Sequence, residues 1–108
     1  ESLGRLPALI HLNIEDNELE RLPSNLQWVT RLQKLSLNRN RLAEIPDWIG
    51  CLSALTYLGV DGNPLAMLPP NLASLPCLRL LEVPPDLSSP ILAELTRHGC
   101  LIHYGAKQ

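Results

Sequence analysis

A 23-residue repeat constrains the fold of this 108-residue chain more than any other feature of its sequence. The stretches 9–23, 32–46 and 55–69 carry leucines, an asparagine and a final proline at matching positions. Three asparagines and four leucines recur at this same spacing: Asn17, Asn40 and Asn63, and Leu12, Leu35, Leu58 and Leu81. A fixed period of this length indicates a solenoid, in which each repeat forms one turn and stacks on the next.

Each repeat contains a short alternation of apolar and polar residues, which predicts a β-strand. In the first copy Leu12 and Ile14 should point inward, while His11, Asn13 and Glu15 should point outward. Because the chain returns one turn along after each repeat, the strands should pair in parallel about 4.8 Å apart. A single turn cannot bury its own apolar face, so the stability must come from stacking.

The pattern L-x-x-L-x-L-x-x-N-x-L-x-x-L-P resembles the leucine-rich repeat, and its length resembles the intracellular Ras-suppressor and plant intracellular Ras-group type. The resemblance covers the chain to about residue 83. It implies an α/β fold: a right-handed leucine-rich-repeat solenoid with a parallel β-sheet on the concave face and short helical or 3₁₀ turns on the convex face. It also implies that the chain binds another protein or a peptide.

The two ends of the chain depart from the repeat. Ser89 as N-cap, Pro90 as first helical residue and Gly99 as helix stop predict a helix, and 100–104 predicts a last strand. We therefore divide the chain into leucine-rich repeats at 1–83 and a C-terminal helix–strand cap at 84–108. The first residues align with the middle of a repeat and lack a polar cap. The N-terminal edge is thus expected to continue into further repeats or to be covered by a partner.

The repeated asparagines Asn17, Asn40 and Asn63 predict a structural ladder. Just past each strand the chain turns, and a buried amide can both donate to and accept from backbone groups that lose their sheet partners. One repeat further on, the position holds Asp86, which follows two prolines. Since an ionised Asp cannot donate and Pro has no N–H, the ladder should end at Asn63.

The composition excludes several classes of function. A net charge of −2 and a pI of about 5.9 give no basic patch for nucleic acid. No apolar run approaches the roughly 20 residues of a membrane-spanning helix. The three cysteines, Cys51, Cys77 and Cys100, show no paired pattern, which favours free thiols in a reducing, cytoplasmic compartment. His98 and His103 flank Cys100, but no fourth ligand is evident, so we predict no metal site.

Candidate binding residues lie at the outward positions of the strands, where an aromatic residue stands among cations, as at interface hot spots. We expect partner binding on the concave face by Lys34, Tyr57, Arg39, Arg79 and His11. The alternative is a solvated face on which opposite charges pair between neighbouring turns. The pairs would be Asp16–Arg39, Glu18–Arg41 and Arg21–Glu44. On the convex side, Trp28 and Trp48 either form a second contact surface or pack over the turns.

The sequence thus predicts a non-catalytic protein–protein interaction module in an intracellular signalling, scaffold or ubiquitin-ligase component. The alternative is a structural subunit held permanently in a large cytoskeletal or ciliary assembly. No motif indicates a catalytic constellation, and no cofactor is expected. The predicted partner is a protein or peptide, not nucleic acid or membrane.

Overall fold

The computed structural model describes residues 9–105, which form stacked turns with one parallel five-stranded sheet. The strands follow one another in chain order: β1 (His11–Asn13), β2 (Lys34–Ser36), β3 (Tyr57–Gly59), β4 (Leu80–Val83) and β5 (Leu101–Tyr104). The return paths carry three 3₁₀ helices and one α-helix: Ser24–Trp28, Asp47–Cys51, Pro70–Ser74 and α1 (Pro90–Arg97). The predicted solenoid is confirmed. The predictions for residues 1–8, including the uncapped edge, lie outside the described residues.

The strand register follows the 23-residue repeat. Leu12 pairs with Leu35, Leu35 with Leu58, and Leu58 with Leu81. The last turn is shorter, because Leu80 pairs with Leu101, whereas a full repeat would have brought it opposite His103. The last strand, which the sequence assigned to a C-terminal cap, continues the sheet as its fifth member.

One continuous core runs through all the turns. Leu35, Leu58 and Leu81 from the strands are fully buried, and a second line from Leu37 through Val60 to Val83 lies beside them. Side chains of the return paths close the core from the opposite side, namely Leu26, Ile49 and Leu72. Each buried leucine stabilises the fold by roughly 1.5–3 kcal/mol relative to exposure.

The proline of each repeat starts the return path. Pro23, Pro46 and Pro69 immediately precede the three 3₁₀ helices, with φ between −61° and −72°. The carbonyl of each proline accepts a hydrogen bond from the buried residue three positions on, at 3.1 or 3.2 Å. The ring fixes φ near this value, so the proline ends the extended segment and aims the next turn into the core.

The helix α1 ends as the sequence predicts. Gly99 has a φ of 92°, its N–H donates to Thr96 O, and the Cys100 N–H donates to Leu95 O. These two bonds form a Schellman motif, and the burial of both Leu95 and Cys100 supplies its apolar contact. At the other end Ser89 occupies the N-cap position, but its side chain makes no capping hydrogen bond.

A residue with positive φ turns the chain after each of the first three strands. Asp16, Arg39 and Gly62 have φ values of 59°, 61° and 72°, and they occupy the same repeat position. The fourth turn holds Pro85 there, whose ring restricts φ to about −65°. The turn therefore cannot recur after β4.

Candidate protein-binding surface

The sheet face is the outward surface of β1–β5, and we describe it by two rows of aligned residues. The first row contains His11, Lys34, Tyr57, Leu80 and Leu101, and the second row contains Asn13, Ser36, Gly59, Glu82 and His103. The first row lies nearer the amino ends of the strands. This is the surface that the sequence predicted as the concave face.

The structure brings three of the five predicted binding residues together. His11, Lys34 and Tyr57 are neighbours in the first row, about 4.8 Å apart from strand to strand. Arg79 is exposed just before β4, near the same ends of the strands. Arg39 lies apart from them, in the turn beyond the carboxyl end of β2.

A network of hydrogen bonds crosses the sheet face, and sequence reasoning missed it. The Tyr57 hydroxyl donates to the Glu82 carboxylate, and Asn38 Nδ2 donates to Glu82 Oε1 at 3.0 Å. The Ser36 hydroxyl donates to the Glu15 carboxylate. We call Glu15, Ser36, Asn38, Tyr57 and Glu82 the acid network. It holds both carboxylates in place on the surface.

Several residues in or beside the acid network are buried, although the repeat pattern predicted that they would be exposed to solvent. Ser36 and Asn38 are only 7% and 6% exposed, and Gly59 is also buried. A Cβ atom on Gly59 would lie 2.5 Å from Tyr57 Oη. The small residues in the second row thus leave room for the Tyr57 side chain to cross the sheet and reach Glu82.

Arg39 is bound by carboxylates of the first turn. Its Nε lies 2.6 Å from Asp16 Oδ1, and its Nη2 lies 3.0 Å from Glu15 Oε1. The predicted pair of Glu18 and Arg41 also forms, at 3.7 Å. Exposed pairs such as these contribute at most about 1 kcal/mol each.

The predicted pair of Arg21 and Glu44 was wrong. Within residues 9–105 no ion pair joins these two side chains. Both instead line a groove of about 520 Å³ between the first two turns. Fixing two long exposed side chains costs conformational entropy that a solvent-screened attraction does not recover.

Comparisons with known proteins agree with this geometry. A family model described as Leucine Rich Repeat matches residues 31–52. Among solved structures, the chain is similar to a leucine-rich repeat protein of Leptospira interrogans, with 29% identity over 93% of this chain and a TM-score of 0.79. Internalin C2 of Listeria monocytogenes is similar over 95% of this chain, with 27% identity and a TM-score of 0.80. The chain has the leucine-rich repeat fold.

The chain spans only part of those two structures, 26% of the Leptospira chain and 45% of the internalin chain. Neither comparison identifies the subtype within the family. A comparison with curated protein sequences gave no match.

The electrostatics of the sheet face follow from its hydrogen bonds. Partial burial acts to raise the pKa of Glu82, but the hydrogen bonds from Tyr57 and Asn38 together lower it below its ordinary value. Burial and the bond to Glu82 raise the pKa of Tyr57. The hydrogen bond from Arg39 lowers the pKa of Asp16. Charged carboxylates are therefore favoured in the folded state.

Replacing Glu82 with glutamine should make the stability less dependent on pH. Because the folded pKa of Glu82 is lowered, its contribution is present above the unfolded pKa of about 4.3 and is lost as pH falls through the folded value. We expect Glu82→Gln to lower the free energy of unfolding by about 1 kcal/mol near neutral pH and by less near pH 3. Urea unfolding at both pH values measures this, with the exposed Glu20→Gln as control. An equal loss at both pH values would contradict the assignment.

The remaining candidate groups lie apart from one another. Cys51 and Cys77 are exposed free thiols, whereas Cys100 is buried, and its burial raises the pKa of its thiol. His98 and His103 are exposed on either side of Cys100. In the part of the chain that the structure describes, no group of three or more His, Cys, Asp or Glu residues could hold a metal ion.

Trp28 and Trp48 lie outside the sheet face, in the 3₁₀ helices of the return paths. Trp28 is 66% exposed on the return path, whereas Trp48 is half-buried and packs against the core. The two tryptophans therefore differ in their exposure, and only Trp28 is left largely open to solvent. Within the described range no helix is both long and apolar enough to cross a membrane.

Proposed function

We propose that this chain is a non-catalytic module that binds another protein through its sheet face. Leucine-rich repeat folds are generally protein–protein interaction modules, and stacked repeats provide the extended surfaces that they use. The observation that carries the proposal is the first row. It aligns His11, Lys34 and Tyr57 on neighbouring strands, and the side chains of His11 and Lys34 are exposed.

The five proposed contact residues divide into two kinds. Lys34, Arg79 and His11 are exposed and form no ion pair with another residue in 9–105, so they are available to a partner. Tyr57 and Arg39 are held by Glu82 and by Glu15 and Asp16. Side chains already fixed in place lose less conformational entropy on binding, which favours affinity.

For the cellular setting, we propose a cytoplasmic signalling, scaffold or ubiquitin-ligase component. Two features support this setting. The 23-residue repeat with its Leu-Pro pair resembles the intracellular type. The cysteines Cys51 and Cys77 are exposed as free thiols, which persist in a reducing compartment.

A comparative pull-down tests the proposed function. The wild type and the Lys34→Ala/Tyr57→Ala/Arg39→Ala variant are immobilised, and the captured proteins are quantified by mass spectrometry. The Arg21→Ala/Arg97→Ala variant is the control, because it removes two exposed cations that lie on the return path before the first 3₁₀ helix and at the end of α1. We expect partners to be lost from the sheet-face variant and retained by the control. Equal recovery by all three folded proteins would refute binding through the sheet face.

The alternative function is that of a permanent subunit of a cytoskeletal or ciliary assembly. Large apolar side chains that are exposed outside the sheet face favour it. Trp28 and Met67 are 66% and 63% exposed, and neither belongs to the sheet face. Light scattering of the isolated protein separates the two functions. A monodisperse monomer supports the binding module, whereas aggregation that Trp28→Ser and Met67→Ser relieve supports the assembly subunit.

A further inference from the structure

The charges on the sheet face are segregated along the strands. All the acidic side chains lie in the second row or beyond it, towards the carboxyl ends of the strands: Glu15, Asp16, Asp61 and Glu82. Arg39, Tyr57, Ser36 and Asn38 bind Glu15, Asp16 and Glu82, and the Asp61 carboxylate accepts from the Gly62 N–H. The negative charge at this end of the face is thus largely satisfied within the molecule.

The opposite end of the face carries cations without such partners. Lys34 lies in the first row of β2, and Arg79 directly precedes β4. Both are exposed, and within residues 9–105 neither forms an ion pair. They are two turns apart, so their backbones are separated by about 10 Å across the strands. A ligand that crosses the amino ends of the strands would meet both positive charges.

Apolar side chains lie in the first row between the two cations and next to them, and the row continues past Arg79 to the last strand. Tyr57 and Leu80 are half-buried, and Leu101 is 67% exposed at the end of the sheet. A large exposed apolar side chain aligned with two others suits contact with an apolar partner group. On the other side of Tyr57, a hollow of about 320 Å³ offers space for a side chain, and it is lined by His11, Leu12, Asn13, Glu15, Lys34, Ser36 and Tyr57.

The free cations and the neighbouring apolar side chains favour a partner that carries both acidic and apolar groups. We propose that the sheet face takes an extended acidic segment of another protein, with carboxylates against Lys34 and Arg79 and an apolar side chain against Leu80 and Leu101. The proposal rests on the proposed function and specifies its ligand. The segment runs across the strands, along the first row. The charges of the segment and the free cations are complementary, which favours both orientation and rate of association.

The acid network argues against a nucleic acid at the same place. A nucleic acid carries a charge at every phosphate along its backbone, so a strand crossing the face would meet the carboxylates of Glu15 and Glu82 as well as the cations. A short acidic segment places its charges at two points only, beside Lys34 and Arg79. A phosphate backbone also offers no apolar group to contact the apolar side chains beside these cations.

Selection from a displayed library tests the proposal. Random peptides of about twelve residues span about 40 Å when extended, which is enough to cross the sheet. We expect peptides selected on the wild type to share acidic residues with an apolar residue on one side of them. Labelled selected peptides are then titrated by fluorescence anisotropy against Lys34→Glu/Arg79→Glu. The matched control is Arg21→Glu/Arg97→Glu, which makes the same change in charge on the return path before the first 3₁₀ helix and at the end of α1.

The expected result is a loss of affinity of about tenfold or more in Lys34→Glu/Arg79→Glu and little change in the control. Peptides in which lysine replaces the acidic residues should bind the charge-reversed protein better than the wild type. A selected set without acidic residues, a failure to select any peptide, equal affinity of the two double variants, or tighter binding of single-stranded DNA would overturn the proposal. The proposal would also be overturned if the sheet face bound a second copy of this chain instead of a peptide, which light scattering would detect as dimers.

The pull-down distinguishes failure of the acidic-segment proposal from failure of the proposed function. If the sheet-face variant loses its captured partners while acidic peptides fail to bind, the face binds protein of another chemistry. If neither measurement depends on the sheet face, both proposals fall. In each case, thermal unfolding of the variants establishes that they are folded before binding is compared.

Discussion

Replacing Asn63 with alanine is expected to lower the free energy of unfolding by about 3 kcal/mol or more. Asn63 is buried, and its Nδ2 donates to the carbonyls of Leu37 and Val60 at 3.0 Å each. Its Oδ1 accepts from the buried Leu42 N–H at 3.0 Å. Alanine would leave these backbone groups without a partner in a region closed to water, and each unsatisfied group costs about 1–3 kcal/mol. Urea unfolding monitored by circular dichroism measures the loss.

The same substitution at Asn17 provides a matched control. Asn17 occupies the equivalent repeat position, but it is exposed, and its Nδ2 donates to the carbonyls of Ile14 and Glu15 at 3.2 and 3.0 Å. Water can replace these bonds, so Asn17→Ala should cost about 1 kcal/mol or less. Similar losses in the two variants would show that the asparagines do not act through the burial of their amides.

Replacing Leu58 with alanine is expected to cost about 3–5 kcal/mol. Leu58 is fully buried at the middle of the sheet, between Leu35 and Leu81 of the neighbouring strands. The truncation removes apolar contacts and leaves a cavity that these two neighbours cannot fill without shifting the strands. Since domains are stable by only about 5–15 kcal/mol, the loss should be evident in the midpoint of urea unfolding.

Leu101→Ala is the control for Leu58→Ala, because Leu101 lies in the same sheet but is 67% exposed. This change should alter the stability by no more than about 0.5 kcal/mol. If Leu101→Ala proved as damaging as Leu58→Ala, the burial pattern of the strands would be wrong. If both were harmless, the leucines would not form the core.

The sequence predicted the strand register because the repeat is nearly invariant in length. Leu12, Leu35 and Leu58 align one full repeat apart, so a side chain can be assigned to the core by counting. The last turn was not predictable in this way. It advances from Leu80 to Leu101, which is less than a full repeat, and its return path is a longer helix rather than a 3₁₀ turn.

The acid network escaped prediction because it runs diagonally. Counting by whole repeats aligns Tyr57 with Leu80, whereas its hydroxyl reaches Glu82, further along the next strand and on the same face. Whether a long side chain lies along its own row or crosses the sheet depends on the size of the residues beside it. Here Gly59 and Ser36 leave the space, and a sequence search for small residues next to a tyrosine could have found it.

The same network changes how the candidate surface is understood. From the sequence we expected Arg39 and Tyr57 to contact a partner, with pairing of Arg39 to Asp16 as the alternative. Both side chains are bound to carboxylates in the structure. Their loss would disturb the surface as well as remove a contact. Lys34 and Arg79 are the sharper probes of binding, because neither supports the surrounding structure through an ion pair within residues 9–105.

The alignment of the core leucines is best tested by nuclear Overhauser effects between their methyl groups in solution. The solenoid predicts strong cross-peaks between Leu35 and Leu58 and between Leu58 and Leu81, whose strands are neighbours about 4.8 Å apart. It predicts much weaker cross-peaks, or none, between Leu35 and Leu81, which are separated by two strand spacings. Contacts of Leu58 with residues that do not lie one repeat away in the adjacent strands, in place of Leu35 and Leu81, would contradict the solenoid and the binding surface built on it.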